Sequence, residues 1–182
     1  ANIKADRSRR RRARLEEFHA KLCRLRFLDP ACGCGNFLVI AYRELRQLEL
    51  KVLRTLHDSG QQMLDIASII QVDVDQFHGI EIEEFPVQIA QVALWLTDHQ
   101  MNAQVSEEFG QYFVRLPLAK SAHIVHGNAL RLDWNAVIPA AQCSFVMGNP
   151  PFIGKTYLND AQRADVATIF HDTRSSGMLD YV

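Results

Sequence analysis

The chain has 182 residues, 48% of them hydrophobic, which is enough for one domain with its own core and too few for two full domains. It contains no run of eighteen apolar residues and no opening signal of charged, apolar and then small residues, so a soluble cytoplasmic protein without a membrane span is the expectation. The net charge of −1 conceals an asymmetry: residues 1–26 carry ten Lys and Arg against three acids, whereas the remainder carries ten against eighteen.

A basic arm before an acidic body fits either nucleic-acid contact or a solvated helix. Leu15, Phe18, Leu22 and Leu25 fall on one face of the segment from Arg10 to Arg26, and Glu16 and Glu17 sit among the arginines, which favours the solvated helix. Residues 1–26 are therefore read as a basic helical segment preceding a domain that starts at Phe27. Next, Arg26–Asp29 has the length of a buried strand end. Pro30 bars further pairing, and the turn Asp29-Pro30-Ala31-Cys32-Gly33-Cys34-Gly35-Asn36-Phe37 lets the backbone approach a ligand closely through Gly33 and Gly35. Leu38, Tyr42, Leu45, Val52 and Leu56 then keep a helical period to about His57, closed by Asp58-Ser59-Gly60.

Met63, Leu64, Ile66, Ile69 and Ile70 suit a short helix, and Gln71–Asp75 a polar turn or irregular strand. Phe77–Ile82 reads as a buried parallel strand ending in acid. Glu83, Glu84 and Pro86 mark the start of a helix to about Met101, with Phe85, Ile89, Val92, Ala93 and Leu96 as its apolar face. A polar loop follows from Asn102, in which Tyr112–Val114 could form a strand fragment. His123–His126 is a third strand; its two histidines, three apart, point to opposite faces and would not share a metal. Cys143–Met147 is a fourth strand, running into Gly148-Asn149-Pro150-Pro151-Phe152, and a weak helix spans Asp160 to Phe170 before a Ser-Gly turn.

This order predicts an open, largely parallel α/β sheet with right-handed crossovers, its ligands beyond the carboxyl ends of the strands. The Gly33 loop, Glu81, Asn128 and Asn149 all lie at such ends. Glu81, with two acceptor oxygens, suits the paired hydroxyls of a ribose. A nicotinamide cofactor fits poorly, because its acid follows the glycines by about 20 residues, while Glu81 follows Gly35 by 46. At the other end, two prolines after Asn149 remove amide donors and leave acceptors converging, which selects an exocyclic amine, and Phe152 offers a face for stacking. Cys23, Cys32, Cys34 and Cys143 lack metal-finger spacing and are read as reduced thiols; no metal is assigned.

Asp29–Phe37 resembles the S-adenosyl-L-methionine (AdoMet) motif of amino-methylating DNA methyltransferases, and Asn149-Pro150-Pro151-Phe152 resembles their catalytic motif in its adenine-type form. Gly79–Phe85, Asp98-His99-Gln100-Met101-Asn102 and Leu179-Asp180-Tyr181-Val182 are similar, more narrowly, to the MmeI-like enzymes, which join methylation and restriction in one polypeptide. The resemblance runs from about Phe18 to Val182. It implies a truncated Rossmann-like methyltransferase sheet of about four central parallel strands with flanking helices, and a bacterial enzyme that methylates adenine N6 in double-stranded DNA after extruding the base.

By position, the resemblance gives the backbone from Ala31 through Cys32 and Gly33 to Gly35 the methionine part of AdoMet. Asp29 and Asn36 would order that loop, with Phe37 opening the helix. Glu81 would take the ribose, Ile82 would pack on the adenine ring, and Asn128 with Ala129 would meet the adenine edge. Many relatives carry Asp where this chain has Asn128, which makes that contact the least secure. Asn149 and the Pro150 carbonyl would accept from the target amine, with Pro151 fixing the turn and Phe152 stacking on the base.

The resemblance also implies a further AdoMet-contacting motif before Ala1, and more strands and a target-recognition domain after Val182. With an opening Ala1 and an apolar element starting at the far end, this leads to the expectation of a segment of a larger protein, with active-site residues but little activity alone. Similar Asn-Pro-Pro-aromatic turns serve methyltransferases of protein glutamine or RNA guanine, and a cofactor-binding module without turnover is the alternative of a different class.

Overall fold

The computed structural model describes residues 2–57, 66–113 and 121–172. Helix α1 (Asn2–Leu22) leads into β1 (Phe27–Asp29), and α2 (Asn36–His57) carries the chain back past 3-10 turns at Ile66–Ser68 and Val74–Gln76 to β2 (Phe77–Glu81). Helix α3 (Glu84–Phe109), β3 (His123–His126), the short α4 (Trp134–Val137), β4 (Phe145–Val146), a 3-10 turn at Lys155–Tyr157 and α5 (Asp160–Ile169) complete the described order. The four strands form one parallel sheet in the order β3-β2-β1-β4, with Phe27 opposite Phe77 on one side and Phe145 on the other. Sequence order therefore reverses between β1 and β4, the place where such sheets hold ligands.

Alternation along the strands assigns the two layers. Phe27, Phe77 and Ile124 join Leu38, Tyr42, Leu45, Val87, Ala90 and Leu94, so α2 and α3 cover one face. Leu28 and Ile80 point the other way and pack with Ile138, Leu132 and Val137 beyond β3. Strand β4 is the exposed edge, Phe145 and Val146 both lying open. All four cysteines are free thiols.

Strands β1 and β2 follow the pattern of their residues and α2 runs from Asn36 to His57 as the periodicity requires, whereas the short helix expected around Ile66–Ile70 is only a 3-10 turn at Ile66–Ser68. Helix α3 departs from its expected form twice. It continues eight residues past Met101, where a loop was anticipated, and it is rotated: Val87, Ala90, Leu94, Thr97, Asp98, Met101, Asn102 and Val105 are buried, while Phe85, Val92 and Leu96 are 71%, 60% and 46% exposed. The reason is polar. Arg46 of α2, fully buried, donates from Nη1 to Asp98 Oδ1 at 3.0 Å and to the Tyr42 hydroxyl at 2.9 Å, and from Nη2 to Asn102 Oδ1 at 3.0 Å. With Asp98 and Asn102 turned outward, the buried guanidinium would keep only Glu49, 3.6 Å from Nε, as an anion, and the donors that now reach α3 would lose their acceptors, so α3 turns its acid and amide inward. Tyr112 and Phe113 form no strand; Asp58–Gly60, Met63–Leu64, Val114, the Ser-Gly turn and Leu179–Val182 lie outside the described residues.

Helix α1 is solvated along its arginine-rich stretch and anchored at its end. Leu15 and Leu22 pack on the core, and the Gln76 amide donates to the carbonyls of Leu22 and Leu25 at 2.9 and 2.8 Å. His19 Nε2 lies 3.0 Å from Oε1 of buried Glu49, an oxygen that also accepts the Gln71 and Val72 amides, and 3.6 Å from Cys23 Sγ.

Two consequences can be measured. Asp98→Ala leaves Arg46 buried with one anion fewer and is expected to lower the unfolding free energy by about 3–5 kcal/mol in urea titration. Hydrogen bonds to the Cys23 sulfur and the Glu49 carboxylate push the His19 imidazole from 6.5 up to about 9. A raised histidine pKa stabilises the fold fully below the unfolded value and ceases to do so as pH climbs through the folded one. The melting temperature should therefore fall between pH 6.5 and about 9, and His19→Gln should flatten that decline.

Candidate active-site cleft

The loops leaving β1, β2 and β3 are stitched to one another before any ligand is considered. Asp29, buried at the end of β1, accepts the Ala31 amide on Oδ1 at 3.0 Å. Burial pushes its carboxyl up, the Ala31 amide opposes the rise and the neighbouring Glu81 adds to it. The Cys32 amide donates to the Ile80 carbonyl at 3.0 Å, and the Gly35 amide to the Cys32 carbonyl at 2.8 Å. Glu81 is the clasp: Oε2 accepts the Gly33 amide at 2.8 Å, Oε1 accepts the Glu83 amide at 3.0 Å, and its carbonyl accepts the Gly127 amide at 2.8 Å.

Two glycines make this arrangement sterically possible. Gly35 has φ +82, and a Cβ there would lie 3.0 Å from the Ala90 side chain, so the loop settles directly on α3. Gly148, beyond the end of β4, would set a Cβ 2.5 Å from Asp29 Oδ1; only glycine lets the chain pass the buried acid toward Asn149.

A cleft of about 610 Å³ opens over these strand ends, within the range of roughly 300–1,000 Å³ usual for small-molecule sites. It gathers Ala31, Glu81, Ile82, Asn128, Ala129, Pro150 and Pro151, residues from all four strand ends that the sequence singled out. The other residues of that set lie around it. Cys32 is buried beneath the loop with its Sγ where a Cβ on Gly79 would stand, and burial together with the Asp29 and Glu81 charges pushes its thiol up to about 12, which leaves it neutral. Gly33 and Gly35 shape the loop, and their amides, with those of Ala31 and Cys32, are bonded within the protein. Asn36 and Phe37 open the first turn of α2, where a helix leaves its amides unpaired, but neither is among the residues lining the cleft, which the loop meets through Pro30 and Ala31. Asn149 and Phe152 are exposed beside the cleft, Phe152 by 76%.

The sequence reading missed one wall. Trp134 lines the cleft with its Nε1 donating to the Ala129 carbonyl at 2.8 Å, and Ile169 and Phe170 close it from the end of α5. Trp134 follows a capping Asp133, a local signal that predicts a helix start but says nothing of which ring faces a ligand. Asn128 is committed locally: its Oδ1 accepts the Leu130 amide at 2.9 Å and its Nδ2 donates to Asp165 at 3.2 Å. His123 and His126 are separated as expected, one stacked on His78 at 4.9 Å and the other 2.9 Å from the Ile82 carbonyl. Among the described residues, His19, Cys23 and Glu49 alone bring three metal-ligand atoms within 4.8 Å of one another, far from this cleft in sequence and with Glu49 Oε1 already serving two amides.

An acid at the rim, apolar walls and a loop below them suit a cofactor with a flat base, a ribose and a cationic centre. The chain is similar to known DNA methyltransferases. DNA methyltransferase A of Bacillus subtilis (strain 168) is 38% identical over 173 residues, 93% of this chain and 19% of that protein. A putative type II restriction enzyme and methyltransferase of Methanocaldococcus jannaschii is 33% identical over 82 residues, 45% of this chain and 7% of that protein. Among solved structures, the Type IIL restriction-modification enzyme MmeI in complex with DNA matches with a TM-score of 0.89 at 56% identity, over 98% of this chain and 24% of that one. This chain thus spans about a fifth of the length of DNA methyltransferase A and about a quarter of the MmeI chain. The family profile described as MmeI, DNA-methyltransferase domain covers residues 4–182, and the chain belongs to that family.

Proposed function

We propose that this chain forms the methyl-transfer core of a DNA methyltransferase of the restriction-modification type, acting on the N6 amine of adenine with AdoMet as donor. The observation that carries this reading is the convergence of Glu81, Ile82 and Asn128 with Pro150 and Pro151 on one cleft at the point where the strand order reverses. AdoMet supplies, when bound, a methyl group on a positively charged sulfur. Glu81, whose oxygens each keep a second lone pair beside the loop amide they accept, would hold the ribose hydroxyls. Ile82, Trp134 and Phe170 would enclose the adenine ring, while Asp29 and Glu81 supply negative charge that favours the cation.

On the nucleophile side the chain's own groups do the work. An adenine amine is a poor nucleophile because its lone pair is delocalised into the ring. The side-chain oxygen of Asn149 and the carbonyl of Pro150 accept its two hydrogens, draw the nitrogen toward tetrahedral geometry and stabilise the positive charge it acquires. Phe152, exposed beside them, would stack on a base rotated out of the duplex. Neither role calls for a strong base. No residue of this cleft is assigned to restriction or to reading a particular DNA sequence; the DNA contact proposed for it is with the extruded base.

Calorimetric titration of the chain with AdoMet should give saturable binding, with NAD as an inactive control. Glu81→Ala should weaken it at least about tenfold through loss of hydrogen bonds to a charged acceptor. A folded chain that ignores AdoMet, or binds NAD equally well, overturns the cofactor assignment. In the complete enzyme, Asn149→Ala is expected to lower adenine methylation by about a hundredfold or more while leaving AdoMet affinity nearly intact. Methylation at close to the wild-type rate would refute the catalytic role.

A further inference from the structure

Helix α5 follows the Asn149 turn and returns to close the cleft, yet it has little apolar reason to stay there. Within α5 only Val166 is buried. One buried valine is a small apolar anchor for a helix of ten residues, and the other α5 side chains are half-buried or exposed. Its principal polar tie is Asp165. One oxygen accepts Arg131 Nε at 2.8 Å, and the other accepts Arg131 Nη2 at 3.1 Å and Asn128 Nδ2 at 3.2 Å. The forked contact is the geometry in which arginine grips a carboxylate best, and the Asp165 side chain is only 11% exposed, so the pair is shielded from solvent on its acidic side.

The same contact fixes Asn128. The Leu130 amide requires an acceptor and Asp165 requires a donor, so the two neighbours together set which end of the Asn128 amide is oxygen and which is nitrogen. Asn128 and Leu130 line the cleft, and so do Ile169 and Phe170, one turn beyond Asp165 at the end of α5.

We propose that Asp165 is a positioning residue of the cofactor cleft: gripped by Arg131 and Asn128, it holds α5 so that Ile169 and Phe170 form a wall of the ligand site, and it fixes the orientation in which Asn128 meets the ligand. The ligand half of this inference rests on the reading of the cleft as an AdoMet site; the anchoring half does not.

Both halves are tested on the 182-residue chain with Asp165→Asn, which keeps the shape and removes the charge, and with Asp160→Asn as an exposed control on the same helix. Without ligand, hydrogen exchange in residues 160–169 should become about tenfold faster in Asp165→Asn, with α2 unchanged and Asp160→Asn like the parent. AdoMet affinity by calorimetry should fall about tenfold in Asp165→Asn and hold in Asp160→Asn. The losses from Arg131→Ala and Asp165→Ala should fail to add in the double variant, which a general weakening of the fold would not produce. Unchanged exchange in α5 overturns the anchoring, and faster exchange with full AdoMet affinity overturns the positioning role. Faster exchange in a chain whose unaltered form does not bind AdoMet would uphold the anchoring and sink the cofactor assignment instead.

Discussion

A fully buried guanidinium at Arg46 is the constraint from which the arrangement of this domain follows. Its partners are Tyr42 on its own helix and Asp98 and Asn102 on α3, with Glu49 Oε2 3.6 Å from Nε. Such a cluster adds little net stability, because desolvation consumes most of the attraction. What it adds is selection. Any rotation of α3 that buried Phe85, Val92 and Leu96 would swing Asp98 and Asn102 away and leave the buried guanidinium with Glu49 as its one remaining anion, at 3.6 Å from Nε, and with Nη2 stripped of its Asn102 acceptor. Once α3 is fixed about its axis, Ala90 faces Gly35, and the loop after β1 can settle on the helix that follows β2.

That contact brings the first turns of α2 and α3 to one level at the top of the sheet, where Glu81 fastens them. A carboxylate accepting the Gly33 and Glu83 amides is a structural clasp in its own right. It is also the acid that lines the cleft. The two roles are compatible because each oxygen accepts twice, and the clasp pre-orients the carboxylate so that little order remains to be imposed when a ligand arrives. Asp29 holds its own loop through the Ala31 amide, and Gly148 gives it room beside β4.

How much of this could be read from the residues depends on how local each signal is. The strand ends, the glycine turn, Glu81 and the Asn149 turn stand out because each is a short segment whose chemistry is written in adjacent residues. The face of α3 was misread because helical periodicity assumes that polar residues face water, and here the strongest polar residues are inside for the sake of Arg46. The continuation of α3 past Met101 has the same origin: Asn102 and Val105 are buried by what they touch on α2 and its neighbours, which no window along α3 contains. The wall formed by Trp134, Ile169 and Phe170 was invisible for a related reason, since nothing in α5 announces that it folds back, and its tether is a pair, Arg131 and Asp165, separated by 34 residues.

The residues around the cleft differ in how far they stand open, and the difference fits the chemistry proposed for it. Ile82, Trp134 and Phe170, in the part proposed for the cofactor, are 55%, 36% and 38% exposed and line a space whose loops are hydrogen-bonded among themselves. Asn149, Pro151 and Phe152 stand open to solvent, and a phenyl ring left 76% exposed forgoes burial that a core position would supply. A site for two small molecules would gain by closing over both. A site whose second substrate is one base of a long polymer cannot close, because the rest of the polymer must remain outside. An extruded base would itself cover Phe152 and place its amine at the acceptors of the Asn149 turn, so the surface that looks unfinished in the free chain is the one its substrate would complete.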